Sequence, residues 1–142
     1  QWEDLEHSAR GLKAIADPGI IFFVMHEGRE VGYSISLPDI NEFLTVARRW
    51  PRGILRFIPL AWMIKTRRPG RARHLILGIE PEFRRRSGIA PFLYHETFRR
   101  VALGYPVAEI SWIEANNEQI IRGIELLGGK LSKSYTIWEK AL

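Results

Sequence analysis

The sequence predicts a mixed α/β domain built around one central sheet. Three observations carry this expectation. Short apolar runs alternate with helix-periodic segments through the second half of the chain. Two strand-like runs in the first half are joined by a tight turn. The composition is that of a folded globular protein. Of 142 residues, 46% are hydrophobic, 11% aromatic and 26% charged. That is apolar enough for a sizeable core and short enough to be a single domain over 1–142.

The elements follow in order. Residues 4–16 place Leu5, Ala9, Leu12 and Ile15 or Ala16 at helical spacing, and Asp17-Pro18-Gly19 breaks the pattern. Ile20 to His26 is a continuous apolar run suited to a buried strand, and in residues 30–37 Val31, Tyr33, Ile35 and Leu37 alternate with small residues. The turn Glu27-Gly28-Arg29 joins the two runs as a hairpin. Further strands are expected at Leu75 to Ile79, Glu109 to Ile113 and Tyr135 to Trp138. A helix over 88–103 carries Ile89, Leu93, Thr97 and Val101 on one stripe, with Pro91 in its first turn. Another helix is capped by Asn116 or Asn117, presents Ile120, Ile121, Ile124 and Leu127, and stops at Gly128-Gly129.

The formal net charge is +5, and its distribution says more than its size. No acidic residue lies between Phe43 and Ile79, where Arg48, Arg49, Arg52, Arg56, Lys65, Arg67, Arg68, Arg71 and Arg73 supply nine positive charges. The absence of cysteine excludes a disulfide framework, a cysteine-ligated zinc site and thiol nucleophilic chemistry. No metal site is expected. No stretch has the roughly 18 uninterrupted apolar residues of a spanning helix, and no signal-peptide pattern opens the chain, so the expected compartment is the cytoplasm. Gln1 stands where a Met would begin a protein, which suggests the C-terminal portion of a longer chain.

The stretch that carries chemistry runs from Leu75 to Leu93: a strand, a basic turn containing Gly88, then a helix mouth. The first turn of a helix leaves about four N–H groups unpaired and carries roughly half a positive charge, so an anion there meets ready donors. Arg85 and Arg86 can add charge-assisted hydrogen bonds, Gly88 lets the backbone approach closely and Ala90 keeps the entrance small. The alternative is a solvated arginine run ahead of an ordinary helix.

These residues resemble the GNAT superfamily of acyl-CoA-dependent N-acyltransferases. Their signature is a strand followed by Arg or Gln, two variable residues, Gly, one variable residue and Gly or Ala, opening a helix. Arg85-Arg86-Ser87-Gly88-Ile89-Ala90 fits it, and Ile79-Glu80-Pro81-Glu82-Phe83-Arg84 resembles its usual lead-in. The resemblance extends from about Asp4 onward and omits the family's first strand and helix. Leu37-Pro-Asp-Ile-Asn41 and Glu109-Ile-Ser-Trp112 resemble the C-terminal domain of poorly characterised bacterial GNAT-like proteins.

The resemblance implies a central twisted sheet with splayed parallel strands. It implies acetyl-CoA or CoA as co-substrate, held at Arg84, Arg85, Arg86, Ser87, Gly88, Ile89 and Ala90. A backbone N–H near Leu77 or Ile79 would polarise the thioester carbonyl, and Asn117 would touch the pantetheine arm or only cap its helix. It further implies acetyl transfer to a primary amine, of a small molecule or a peptide, by direct attack in a ternary complex. His74, Glu80 and Glu114 are the candidate bases. The family's tyrosine acid has no counterpart, because Ile124 occupies its position. That departure keeps open a non-catalytic CoA-binding or interaction module on the same fold.

The basic-apolar insertion over about 43–73 crowds Ile54, Leu55, Phe57, Ile58, Leu60, Trp62, Met63 and Ile64 around one charge, Arg56. Pro59 is expected to kink or break any helix there. Its readings are a packed lid over the acceptor pocket, a homodimer contact, or an amphipathic contact with a membrane surface. Nucleic acid fits poorly, since a phosphate-binding surface is polar between its charges.

Overall fold

The apolar run that follows the Asp17-Pro18-Gly19 breaker becomes the first strand of a four-stranded sheet in a computed structural model. The structure describes residues 11–13, 15–49, 57–84, 88–110 and 112–139. They fall into two units, Gln1–Trp112 and Ile113–Leu142. Residues 11–13 are helical, and most of the helix expected over 4–16 lies outside the described residues.

In the first unit, β1 (Ile21–His26) and β2 (Arg29–Pro38) form the expected hairpin. Its turn residues Glu27 and Gly28 both have positive φ, at 49° and 81°, as a two-residue hairpin turn matching the strand twist requires. Strand β3 (Arg71–Ile79) pairs antiparallel with β2, and β4 (Val107–Ile110) pairs parallel with β3, so the sheet order is β1-β2-β3-β4. Between β2 and β3 lie helices α1 (Asn41–Ala47) and α2 (Phe57–Thr66), which pack on each other. Pro59 falls in the first turn of α2 and does not break it, because a first-turn residue has no intrahelical N–H bond to lose.

Helix α3 (Ile89–Gly104) connects β3 to β4 and buries Leu93, Thr97 and Val101, three of the four residues of the stripe read from the sequence. Ile20, Ala72, Val101 and Tyr105 form one buried cluster. The Tyr105 hydroxyl donates to Asp17 Oδ2 at 2.8 Å, fastening the end of α3 to the turn before β1.

The face of β2 that α3 covers is the small-residue face. Ser34 and Ser36 are fully buried while Tyr33 is 39% exposed. A Cβ on Gly32 would stand 3.0 Å from Leu93 Cδ1, so the helix sits too close for larger side chains. Thr97 Oγ1 donates its one hydrogen to Leu93 O at 2.7 Å, so in the 2.7 Å contact between Ser34 and Thr97 the serine is the donor.

In the second unit, α4 (Glu118–Leu126) begins at Asn117, whose Oδ1 accepts from the Ile120 N–H at 3.3 Å. It ends at Gly128, where φ is 85° and the N–H of Gly129 returns to Ile124 O. The strand expected at Tyr135 to Trp138 is absent. Residues 129–139 have no regular structure, and Tyr135, Ile137 and Trp138 are exposed. A β-rich sequence becomes a strand only where a neighbour pairs its backbone, and these residues have no such ladder. Among the described residues, no helix is long and apolar enough to cross a membrane.

Candidate functional site

Strand β3 has a neighbour on its β2 side along almost its whole length, but among the described residues β4 accompanies it only from Arg71↔Val107 to His74↔Ile110. Two local features open the gap beyond that point. Opposite β2, Ile35 pairs with Ile76 and Ser36 with His74, which leaves Leu75 as a bulge just past the last β4 pair. On the other side, Trp112 takes a left-handed conformation, φ 66°, which cannot prolong an extended strand. Trp112 and Ile113 accordingly are not strand, short of the expected end at Ile113, and Ser111 lies outside the described residues. Below the gap the two strands are clamped: Arg73 Nη2 reaches Glu109 Oε2 at 3.2 Å, with Asp39 Oδ2 at 3.9 Å.

Over Leu75–Ile79, alternate residues direct their backbone N–H and C=O toward the β4 side, where no strand of the described residues pairs with them. Leu77 and Ile79 both lie on this stretch. At its end the Glu80 N–H donates to Val31 O at 3.0 Å, a short helical turn spans Pro81–Phe83, and Arg84 folds back so that its Nε donates to Ile79 O at 3.1 Å.

Gly88 is the residue before α3, with φ 106°, and no described residue lies within 4 Å of the Cβ position it lacks. Glycine is therefore required there by backbone conformation and not by crowding. Among the described residues no side chain caps α3, and its first turn has no acidic residue. The Phe92 N–H already bonds Gly88 O and Pro91 has no N–H, so the first-turn donors without a partner among the described residues are those of Ile89 and Ala90. Arg85, Arg86 and Ser87 lie outside the described residues.

His74 stands at the vertex of the gap. Its Nδ1 is 3.0 Å from the buried Ser36 hydroxyl, and burial pushes its pKa below the usual histidine value, so the imidazole is neutral near pH 7. Glu80 is exposed and six residues away along an extended strand, roughly 20 Å from His74. One proton cannot be served by both. Glu114 and Asn117 belong to the second unit, where Glu114 is exposed and Asn117 caps α4.

Ser36, the partner of His74, was not singled out in the sequence. The available signal was the small residue at every second position of β2, which marks a face pressed against a helix. A separate cleft of about 220 Å³, lined by residues including Asp17, Phe43, Ile64, Arg68 and Tyr105, opens near the other end of β3 and contains none of the predicted site residues.

No family model matches the chain. It is 30% identical over 140 residues to a bacterial ceramide synthase from Caulobacter vibrioides (strain NA1000 / CB15N). That match takes in 94% of this chain but 36% of the relative, so the chain spans about a third of the relative's length. Among solved structures it is similar to the aminoglycoside N-acetyltransferase AAC(6')-Iy in complex with CoA, with a TM-score of 0.55 and 16% identity over 99% of this chain and 91% of that one.

Proposed function

From the GNAT fold that this chain carries, we propose that it provides the donor site of an acyl-CoA-dependent N-acyltransferase. In this reading an acyl group, acetyl in the simplest case, passes from the thioester to a primary amine by direct attack in a ternary complex. The observation that carries the reading is that, among the described residues, β3 has no β4 partner beyond His74 and the mouth of α3 has no side-chain cap and no acidic residue. The fold neighbour held CoA, and both similar proteins have names that describe amide chemistry, since a ceramide is a fatty amide of a long-chain amino alcohol.

The residues present fit such a donor. The N–H groups of Ile89 and Ala90 would hold the pyrophosphate, with Arg84, Arg85, Arg86 and Ser87 adding charge and hydrogen bonds and Gly88 admitting close approach. Leu77 and Ile79 would pair with the amide-bearing pantetheine arm as a strand would, and an N–H of that stretch would meet the negative charge that develops on the thioester oxygen. The new bond forms between the amine nitrogen and the carbonyl carbon as the carbon–sulfur bond breaks. His74, neutral and fixed by Ser36, would accept the amine proton directly or through one water. The departing thiolate would take its proton from water, because Ile124 occupies the position where the family places a tyrosine.

Thiol release measured with acetyl-CoA and with a long-chain acyl-CoA, each against short amines and a long-chain amino alcohol, tests the proposal. Amine-dependent release supports it. The missing tyrosine favours one second reading, a module that binds CoA without turnover. CoA binding with no thiol release across the panel would establish that reading and overturn catalysis.

A further inference from the structure

We propose that the outer face of α2 docks this protein on the surface of an anionic lipid bilayer. Helix α2 is apolar nearly all round, reading Phe57-Ile-Pro-Leu-Ala-Trp-Met-Ile-Lys-Thr66. An all-apolar helix is ordinarily enclosed by protein. Here only one side is: Met63 is buried, and Leu60 and Ile64 are partly covered. On the other side Ile58 is 65% and Trp62 55% exposed, one turn apart, with Lys65 continuing the same stripe. The Arg67 guanidinium lies over the Trp62 ring, 5.3 Å from its centroid. This face is therefore an apolar strip with two cations, Lys65 and Arg67, at its C-terminal end.

Charge decides what covers it. Of the nine cations in the segment, Arg71 reaches Glu42, and Arg73 reaches Glu109 and Asp39. Arg48, Arg49, Lys65, Arg67 and Arg68 form no ion pair with a carboxylate among the described residues. A second copy packed through the same face would set these like charges against one another, which disfavours association. An anionic bilayer surface supplies the opposite charge to the cations, an apolar layer for Ile58, and the headgroup depth that tryptophan prefers. Ten helical residues span about 15 Å against a hydrocarbon core of about 30 Å, so α2 lies in the interface and does not cross it.

The proposal does not rest on acyl transfer, and its test contains no donor or acceptor. The whole chain is sedimented with vesicles of phosphatidylcholine alone and of phosphatidylcholine with phosphatidylglycerol, at about 0.1 M salt, where the Debye length is about 10 Å. The expected result is at least tenfold stronger binding to the anionic vesicles, weakening as salt rises. Each cation removed near such a surface weakens binding roughly fivefold, so Lys65→Gln/Arg67→Gln should lose about twenty-five-fold. Ile58→Ser/Trp62→Ser should also release the protein, and quenching of tryptophan fluorescence by brominated lipid should drop in Trp62→Phe. All these side chains are exposed, and unchanged thermal melting of each variant establishes that folding is intact. Equal binding to neutral and anionic vesicles, wild-type binding by both multiple variants, or a dimer that Ile58→Ser/Trp62→Ser dissolves would each overturn the proposal.

Discussion

Replacing Gly88 with alanine isolates the backbone conformation at the mouth of α3. At φ 106° an L-residue is strained whatever space surrounds it, and the added Cβ would meet no atom of the described residues within 4 Å. The change therefore adds neither clash nor packing. A residue held in such a region costs about 1–3 kcal/mol, and alanine recovers about 0.4–1 kcal/mol by restricting the unfolded chain. The net loss should be about 1–2 kcal/mol, a fall in Tm of about 3–8 °C for a chain of this size. Relief of the strain by rotation of the Gly88–Ile89 peptide would turn the Ile89 N–H away from the mouth, so CoA affinity should fall by about tenfold, or 1.4 kcal/mol. Differential scanning calorimetry and CoA titration on the same sample read both effects. A variant that melts within a degree of the parent and binds CoA equally well would refute the reasoning, since residue 88 would then not hold a positive φ at a ligand site.

Three further predictions concern the groups around β3. His74 has a folded-state pKa below its unfolded value, so between the two the unfolded chain binds more protons. Stability should fall as pH drops below about 6.5 and level off below the folded-state pKa, and His74→Gln should remove that slope in pH-dependent urea melts. Thr97→Val should cost about 1–3 kcal/mol in denaturant unfolding because it strands the buried Ser34 hydroxyl, and Ser34→Ala in the same chain should recover part of that loss. Tyr105→Phe removes the bond to Asp17 and should destabilise by about 1 kcal/mol; in the parent, ultraviolet titration should find this buried phenol ionising at about 12.

Elements whose own residues determine them were legible in the sequence. The α3 stripe of Leu93, Thr97 and Val101 follows from helical spacing, and Asn117 caps α4 through its own side chain. Features that depend on a partner were less so. Strand β3 starts at Arg71, four residues before the expected Leu75, because charged strand residues are acceptable once Glu42, Asp39 and Glu109 meet them. The buried face of β2 holds Ser34 and Ser36 because α3 packs against it; the small residue at every second position signals that a helix is close, but which helix, and that Ser36 meets His74, depends on the tertiary fold. At the candidate site, the sequence located Gly88 and His74, while the gap itself arises from a bulge at Leu75 and a left-handed Trp112, neither of which has a residue-type signature.

Calorimetric titration of the folded chain with CoA bears most directly on the claim that the mouth of α3 and the free length of β3 form a donor site. Saturable binding is predicted, weakened at least tenfold in Arg85→Glu and in Arg86→Glu with no change in thermal melting. The absence of binding at millimolar CoA, or wild-type affinity in both variants, would contradict it.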